Sequence, residues 1–591
     1  MAERLPSASR LAATGSSAVL EEFATYRDRF VAITRRAPGR FEAGLWAEVG
    51  DDHRERLDLY PAAVEAALRH IADLLGERGE DRVVWGALKA VFSRVIDGRP
   101  DRELAETFFN SITRRVFRSV GVDPDVEFVD ADADLHPSPR SRGVHRALEG
   151  DLARQVSAAL TVTGFRSGAF GDRDAQADAA AGEIRLRLEA AGVDATLVAL
   201  EVLTAPFFRE QGAYVVGRIR TGDSLRPLPL VLCLRNETGG IRIDAVLTDE
   251  RDVSVLFSFT RSHFMVETDS VYELVRFLKS LMPRKRIAEL YVAVGEHKHG
   301  KTELYRDLLD RLRAADARFE VAPGTPGLVM VVFTIPGYDL VIKVIKDRFP
   351  PQKQMTRRRV LDRYELVFRH DRAGRMVEAH EFEYLEFDLA QFDTDLLDLL
   401  RREAGRTVQV VGEMVVVGHA YVERRVEPLD LFLRAAADED GHRALADYAA
   451  AIRQLAQTDV FCGDILPKNF GVTRSGRVVF YDYDELAPVS EMRFRTIPPP
   501  PSDAEALSAE PWYGVGHNDV FPEEWPGFLG LAPAQRAHLE ERHGEIFDAA
   551  FWRLTQGQLE SGTPFEVIPY RDEVRLPVSV AGQQPSSQVQ A

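Results

Sequence analysis

The sequence predicts an α+β protein in two parts: a mostly helical N-terminal part with a small antiparallel sheet, then a part with a β-rich lobe and a helical lobe. Three observations carry this. From about Ala18 to Ala191 apolar residues recur at helical spacing, as in PAAVEAALRHIADLLGERG and GVHRALEGDLARQVSAALTVTG. YVVGRIRT, LPLVLCLRN, GIRIDAVLT and VSVLFSFTR then alternate with period two between turn signals such as Gly239-Gly240, which predicts the sheet. From Phe319 strands come first and helices after.

The elements follow in order. SVYELVRFLKSLMP is a helix, AELYVAV a strand, and TELYRDLLDRLRAA a second helix. GLVMVVFTIPG and YDLVIKVIK form a strand pair turning at Pro336-Gly337, and QMTRRRVLDRYELVFRH is a helix that Thr356 can cap. VQVVGEMVVVGHAYVERR adds strands, and LDLFLRAAADED and ALADYAAAIRQLAQ open the helical lobe. These changes of texture divide the chain into residues 1–310, residues 311–575 and a polar, disordered tail, 576–591.

The chain has 591 residues, 45% hydrophobic and 28% charged, and no apolar run approaches the ~20 residues of a membrane span. With two cysteines and no signal-type apolar core, it fits a reducing, cytoplasmic compartment. A net charge of -18 argues against nucleic acid as a partner but leaves a local nucleotide site open.

Asp464 and Asn469 stand as D-x-x-x-x-N, and Asp482 follows across a turn and a strand. A protein-kinase catalytic loop runs into its metal-binding Asp in this way: one carboxylate orients the hydroxyl, while an amide and a second carboxylate hold Mg2+ on the phosphates. Upstream, Gly324-Thr325-Pro326-Gly327 is a tight loop between strands, and Lys343 in V-I-K is placed to meet phosphates; Lys346, three positions on, points to the other face. Glu365 is the expected ion-pair partner of Lys343, with Glu381 and Glu383 as alternatives. Each piece alone has a structural explanation, but the ordered set in a β-then-α context favours Mg-ATP phosphoryl transfer on a bilobal protein-kinase-like fold.

Other motifs are weaker. Residues 295–302 satisfy the P-loop pattern G-x-x-x-x-G-K-T between an expected strand and helix, and Asp482 could serve as its second acidic residue. Its Glu-His-Lys-His interior sets Glu296 near the anion, however, and a hairpin or helix N-terminus suits it better. Gly222-Asp223-Ser224-Leu225 looks like a hydrolase motif, but none of the 14 histidines has Asp three residues before it, so it is assigned to a turn.

The chain resembles the isocitrate dehydrogenase kinase/phosphatase family. AVGEHKHGKTELYRDLL, GLVMVVFTIPGYDLVIKVIKDRFPPQK, HDRAGRM, AIRQLA, GDILPKNFGVTRSGRVVFYDYDE, FRTIPPPP and EPWYGVGHNDVFPEEW carry the likeness over most of residues 285–525, and the N-terminal part fits the family's regulatory domain in length and texture. The resemblance implies a kinase that phosphorylates a serine of isocitrate dehydrogenase, diverting flux from the citric acid cycle to the glyoxylate bypass, and the reverse phosphatase activity at the same Mg-nucleotide site. It implies that Ala322, Pro323, Gly324, Thr325, Pro326, Gly327 and Leu328 form the ATP loop with Lys343. Asp464 would be catalytic with Lys468 beside it, Asn469 and Asp482 would be metal ligands, and Asp484 would assist. The family's phosphatase carboxylate is an Asp after R-M-x; here Glu378 stands there. Asp-Tyr-Asp in place of Asp-Phe-Gly removes a glycine hinge and predicts no conventional activation-loop flip. Residues 490–526, rich in Pro and aromatics, are a candidate protein-docking surface. Partners are then isocitrate dehydrogenase and adenine nucleotides, with oligomeric state open, a homodimer included. The rival reading is a nucleotide-sensing, pseudokinase-like binding module, which would have no need of Asp464.

Overall fold

The computed structural model describes residues 7–129, 145–193, 198–221, 226–259, 263–324, 326–350, 355–370, 372–502, 512–562 and 567–577. The N-terminal helices are α1 (Ala8–Thr34), α2 (Ala37–Ala43), α3 (Trp46–Leu75), α4 (Arg82–Ile96) and α5 (Arg102–Phe117). Local chemistry sets their starts: the Asp81 carboxylate accepts from Val83 N at 2.9 Å and so caps α4. After β1 (His145–Ala147), α6 (Leu152–Val162) and α7 (Arg173–Ala190) come β2 (Val198–Leu203), β3 (Phe207–Arg209), β4 (Gly212–Thr221), β5 (Leu228–Glu237) and β6 (Gly240–Leu247). They form an antiparallel sheet in the order β1-β2-β4-β5-β6, with β3 on β4. The helices and the sheet share one apolar core.

Two expected strands are helices. VSVLFSFTR contributes α8 (Glu250–Leu256), begun by Asp249, whose carboxylate accepts from Arg251 N at 2.7 Å. After α9 (Val271–Leu281), AELYVAV forms α10 (Ile287–Ala293), and α11 (His297–Leu312) follows after a tight turn at Gly295, φ +95°. A short apolar run does not fix its own period, and here packing decided for helix. The Gly222–Leu225 motif lies outside the described residues.

The second half opens with β7 (Glu320–Val321), β8 (Met330–Thr334), β9 (Leu340–Ile345), α12 (Arg357–His370), β10 (Ala379–Asp388), α13 (Thr394–Ala404), β11 (Val408–Val411) and β12 (Met414–Arg424). The sheet runs β10-β12-β9-β8-β7, antiparallel, with β11 on β12. Alternate residues of β8 serve two cores, as the pleat requires: Met330 joins the core of the helical lobe, whereas Val331 and Phe333 join a core under α11 and α13. Thr356 does cap α12, its hydroxyl accepting from Arg359 N at 3.2 Å. Then come β13 (Glu427–Pro428), α14 (Leu429–Ala435), α15 (Asp438–Gln457), β14 (Phe470–Val472), β15 (Val478–Phe480), β16 (Arg493–Phe494), β17 (Asp519–Val520), α16 (Trp525–Phe528), α17 (Pro533–His543) and α18 (Ala549–Glu560). The chain finally returns to the first half, where Val574 is buried in the N-terminal core and Leu576 N donates to Asp244 O at 2.7 Å. The expected tail lies outside the described residues from 578 on. No helix among the described residues is long and apolar enough to cross a membrane.

Candidate active site

The short β14–β15 ladder builds the acidic end of the site. Phe470 faces Phe480, so Asn469 and Tyr481 leave the ladder side by side and Tyr481 N donates to Asn469 O at 3.1 Å. Asp482 is the next residue. Asp464 is held at the start of the same loop, where its carboxylate accepts from Leu466 N at 2.9 Å. The buried Asn469 side chain donates through Nδ2 to Asp464 O at 3.3 Å, so the amide nitrogen is the atom engaged with the loop. Lys468 is exposed; its carbonyl accepts from the Tyr481 hydroxyl.

Lys343 reaches this end from β9. Its ammonium donates to Tyr481 O at 2.8 Å and lies 2.7 Å from Glu423 Oε2. Glu423 thus takes the place expected for Glu365, Glu381 or Glu383. The register explains it: Lys343 faces Tyr421 on β12, and Glu423, two residues on, lies on the same face. Glu381 instead meets His419 at 2.8 Å. From α12 it is Tyr364 that enters, its hydroxyl donating to Glu423 Oε1 at 3.0 Å. Glu423 is 1% exposed, and burial raises its carboxyl's pKa against the opposing pull of Lys343. Lys346, past the end of β9, lies 3.8 Å from Glu403 instead.

The expected ATP loop is the link between β7 and β8, anchored where Ala322 N donates to Val332 O at 3.0 Å. Gly324 has φ +126°, which a side chain would strain, and Leu328 is exposed. Thr325 lies outside the described residues; Pro323, Pro326 and Gly327 complete the link. Tyr483 is buried where Asp-Phe-Gly proteins carry Phe, its hydroxyl bonded to Val377 O.

Glu378 is placed differently. Residues 375–377 run beside β15: Phe480 N donates to Arg375 O at 2.7 Å and Val377 N to Phe480 O at 3.0 Å. Arg375 locks this segment with a bidentate pair to Asp447, both contacts 2.7 Å. Glu378 follows, with His380 Nε2 3.3 Å from its carboxylate, and lines a cavity of about 80 Å³ shared with Lys285, Arg424 and Arg477. Lys343, Asp464, Asn469 and Asp482 do not line that cavity.

The P-loop pattern straddles the turn at Gly295 and the N-terminus of α11, with Gly300, Lys301 and Thr302 inside the helix. A Cβ at Gly300 would lie 2.6 Å from Val292 Cγ2 and 2.8 Å from Ala288 O, so this glycine lets α10 and α11 touch. Lys301 covers the Phe382 ring at 4.6 Å.

A β-rich lobe with an ion-paired lysine, set against a D-x-x-x-x-N loop and an acidic residue just past the following strand, has the layout of a bilobal protein-kinase-like domain. Residues 317–572 match the isocitrate dehydrogenase kinase/phosphatase (AceK) kinase domain, and residues 16–316 match the regulatory domain of the same family. An isocitrate dehydrogenase kinase/phosphatase of Anaeromyxobacter sp. (strain Fw109-5) is 45% identical over 571 residues, 96% of this chain and 98% of that protein. One of Anaeromyxobacter dehalogenans (strain 2CP-C) is 45% identical over 584 residues. The chain belongs to the isocitrate dehydrogenase kinase/phosphatase family.

Proposed function

We propose that this chain transfers the γ-phosphoryl group of ATP to a serine of isocitrate dehydrogenase, removes it again, and thereby sets flux between the citric acid cycle and the glyoxylate bypass in the cytoplasm. The observation that carries the transferase half is the junction at Tyr481, whose backbone meets both Lys343 and Asn469. In this reading Lys343, held by Glu423, binds phosphate oxygens, Asp464 orients the serine hydroxyl and accepts its proton, and Lys468 lies beside the transferred group. Asn469 and Asp482 offer an amide oxygen and a carboxylate, hard donors that suit Mg2+, which when bound neutralises phosphate charge. Glu378 serves the phosphatase direction, joined through Met376 and Phe480 to the strand that leads into Asp482. Residues 490–526, where β16 and β17 pair and Trp512 Nε1 donates to Pro498 O at 2.9 Å, receive the protein substrate.

Incubation with purified isocitrate dehydrogenase, Mg2+ and labelled ATP tests the kinase, with label expected on a serine. Nucleotide binding without label would favour a sensing module. Adding ADP to phosphorylated isocitrate dehydrogenase tests the reverse: release is expected in the native protein and loss in Glu378→Ala, with labelling retained. No release in the native protein, restored by Glu378→Asp, would show that Glu does not substitute for Asp.

A further inference from the structure

The Glu-His-Lys-His interior of the P-loop-like segment opens on a cavity of its own. This space, about 410 Å³, lies in the N-terminal half between α1, α3 and the start of α11, with Tyr26, Arg56, Tyr60, His263 and His297 in its wall. Such a volume suits a small metabolite.

Arg56 is 4% exposed. Its guanidinium donates to the carbonyls of Phe264 and Val294, each at 3.3 Å, and lies 3.9 Å over the Phe30 ring. Its Nε has no hydrogen-bond partner, and among the described residues no carboxylate pairs with it. Arg27, close by, pairs at 2.6 Å with Glu296, whose carboxylate also lines the cavity and acts on Arg56. His53 is equally buried, neither of its ring nitrogens has a partner, and it packs edge-on to His263 at 5.3 Å. The backbone bends around the guanidinium: a Cβ at Gly295 would overlap Arg56 and lie 2.8 Å from His263 Cδ2. Burial lowers the Arg56 pKa to about 10, which still leaves it cationic at neutral pH. A buried cation with no carboxylate bonded to it, beside an open cavity, is costly unless an anion completes it.

We infer that this cavity binds a small metabolite through a carboxylate or phosphate group seated on Arg56, with the rings of Tyr26 and Tyr60 along its body. The site communicates with the second half through one rigid element, because Glu296 immediately precedes α11 and α11 sets Tyr305 against Phe382 of β10 at 5.8 Å between centroids.

Calorimetric titration of the full-length protein with sodium phosphate and, separately, sodium succinate at matched ionic strength tests this. Saturable one-to-one binding is expected in at least one arm, and the arm that saturates tells phosphate from carboxylate. Arg56→Gln should weaken that binding by roughly 10- to 100-fold, as for a lost charged hydrogen bond. Lys298→Glu, at an exposed position on the rim, should weaken it several-fold without threatening the fold. Lys343→Met should leave it unchanged. No saturation by either anion at roughly 10 mM, where even a ~1 mM site would fill, overturns the proposal. So does binding indifferent to Lys298→Glu, or binding abolished by Lys343→Met, which would place the anion in the nucleotide cleft.

Discussion

At the residue scale, the Lys343–Glu423 pair decides how the lysine is aimed. Lys343→Met removes the cation and should lower the kinase rate by about 10²- to 10³-fold, as for other lost charge stabilisers. Glu423→Gln leaves Lys343 its bond to Tyr481 O and should cost less, about 10-fold, in steady-state labelling of isocitrate dehydrogenase. Asp464, Asn469 and Asp482 were legible because a loop and a hairpin fix their spacing along the chain. Glu423 was not, because its place depends on strand register across some 80 residues. A second residue titrates against expectation: burial raises the Glu103 carboxyl pKa to about 8 from 4.5. The folded state therefore holds a proton that the unfolded state has released, so stability falls as pH rises from 4.5 towards 8, by about 1.4 kcal/mol per unit. Glu103→Gln should flatten this slope in urea titrations at successive pH values.

At the element scale, α10 and α11 show where a motif and a fold part company. Gly295, Gly300, Lys301 and Thr302 carry a phosphate-binding pattern, yet Gly300 is spaced for helix contact and Lys301 for Phe382. Gly300→Ala should lower stability by roughly 1–3 kcal/mol through overpacking, seen as an earlier urea midpoint. Lys301→Met keeps the stem that covers the ring and should leave nucleotide affinity unchanged, whereas a fall matching that of Lys343→Met would reinstate the P-loop. Most elements were legible from periodicity, including β4, β5, β6, β8, β9 and α12. AELYVAV and VSVLFSFTR were not, because both are short, apolar and rich in β-formers. Asp249 ahead of α8 was the available signal for the second, since a capping carboxylate starts a helix whatever follows it.

At the scale of the whole molecule, the chain closes on itself. After the helical lobe, residues 570–576 cross back to β6, where the fully buried Asp244 accepts from Tyr570 at 2.6 Å and pairs with Arg575 at 3.1 Å and Arg242 at 2.6 Å. Arg571 adds a pair to Asp252 at 2.9 Å, and Val574 enters the N-terminal core. A chain ending at Pro569 should leave Asp244 with Arg242 alone and lose roughly 2–4 kcal/mol, the scale of charged hydrogen bonds to a buried group plus one buried valine. The loss should be local: hydrogen exchange should speed in β6 and remain unchanged in β14 and β15. Its pH dependence identifies the cause. Burial raises the Asp244 pKa, but the bonds from Tyr570 and Arg575 and the charge of Arg242 outweigh it and hold it below 3.8. A depressed carboxyl stabilises the fold above its unfolded pKa and loses that contribution as pH falls through its folded one. The gap between full-length and shortened proteins should therefore be widest above about pH 4 and narrow below it; a gap independent of pH would assign the strap's contribution to Val574 rather than to Asp244.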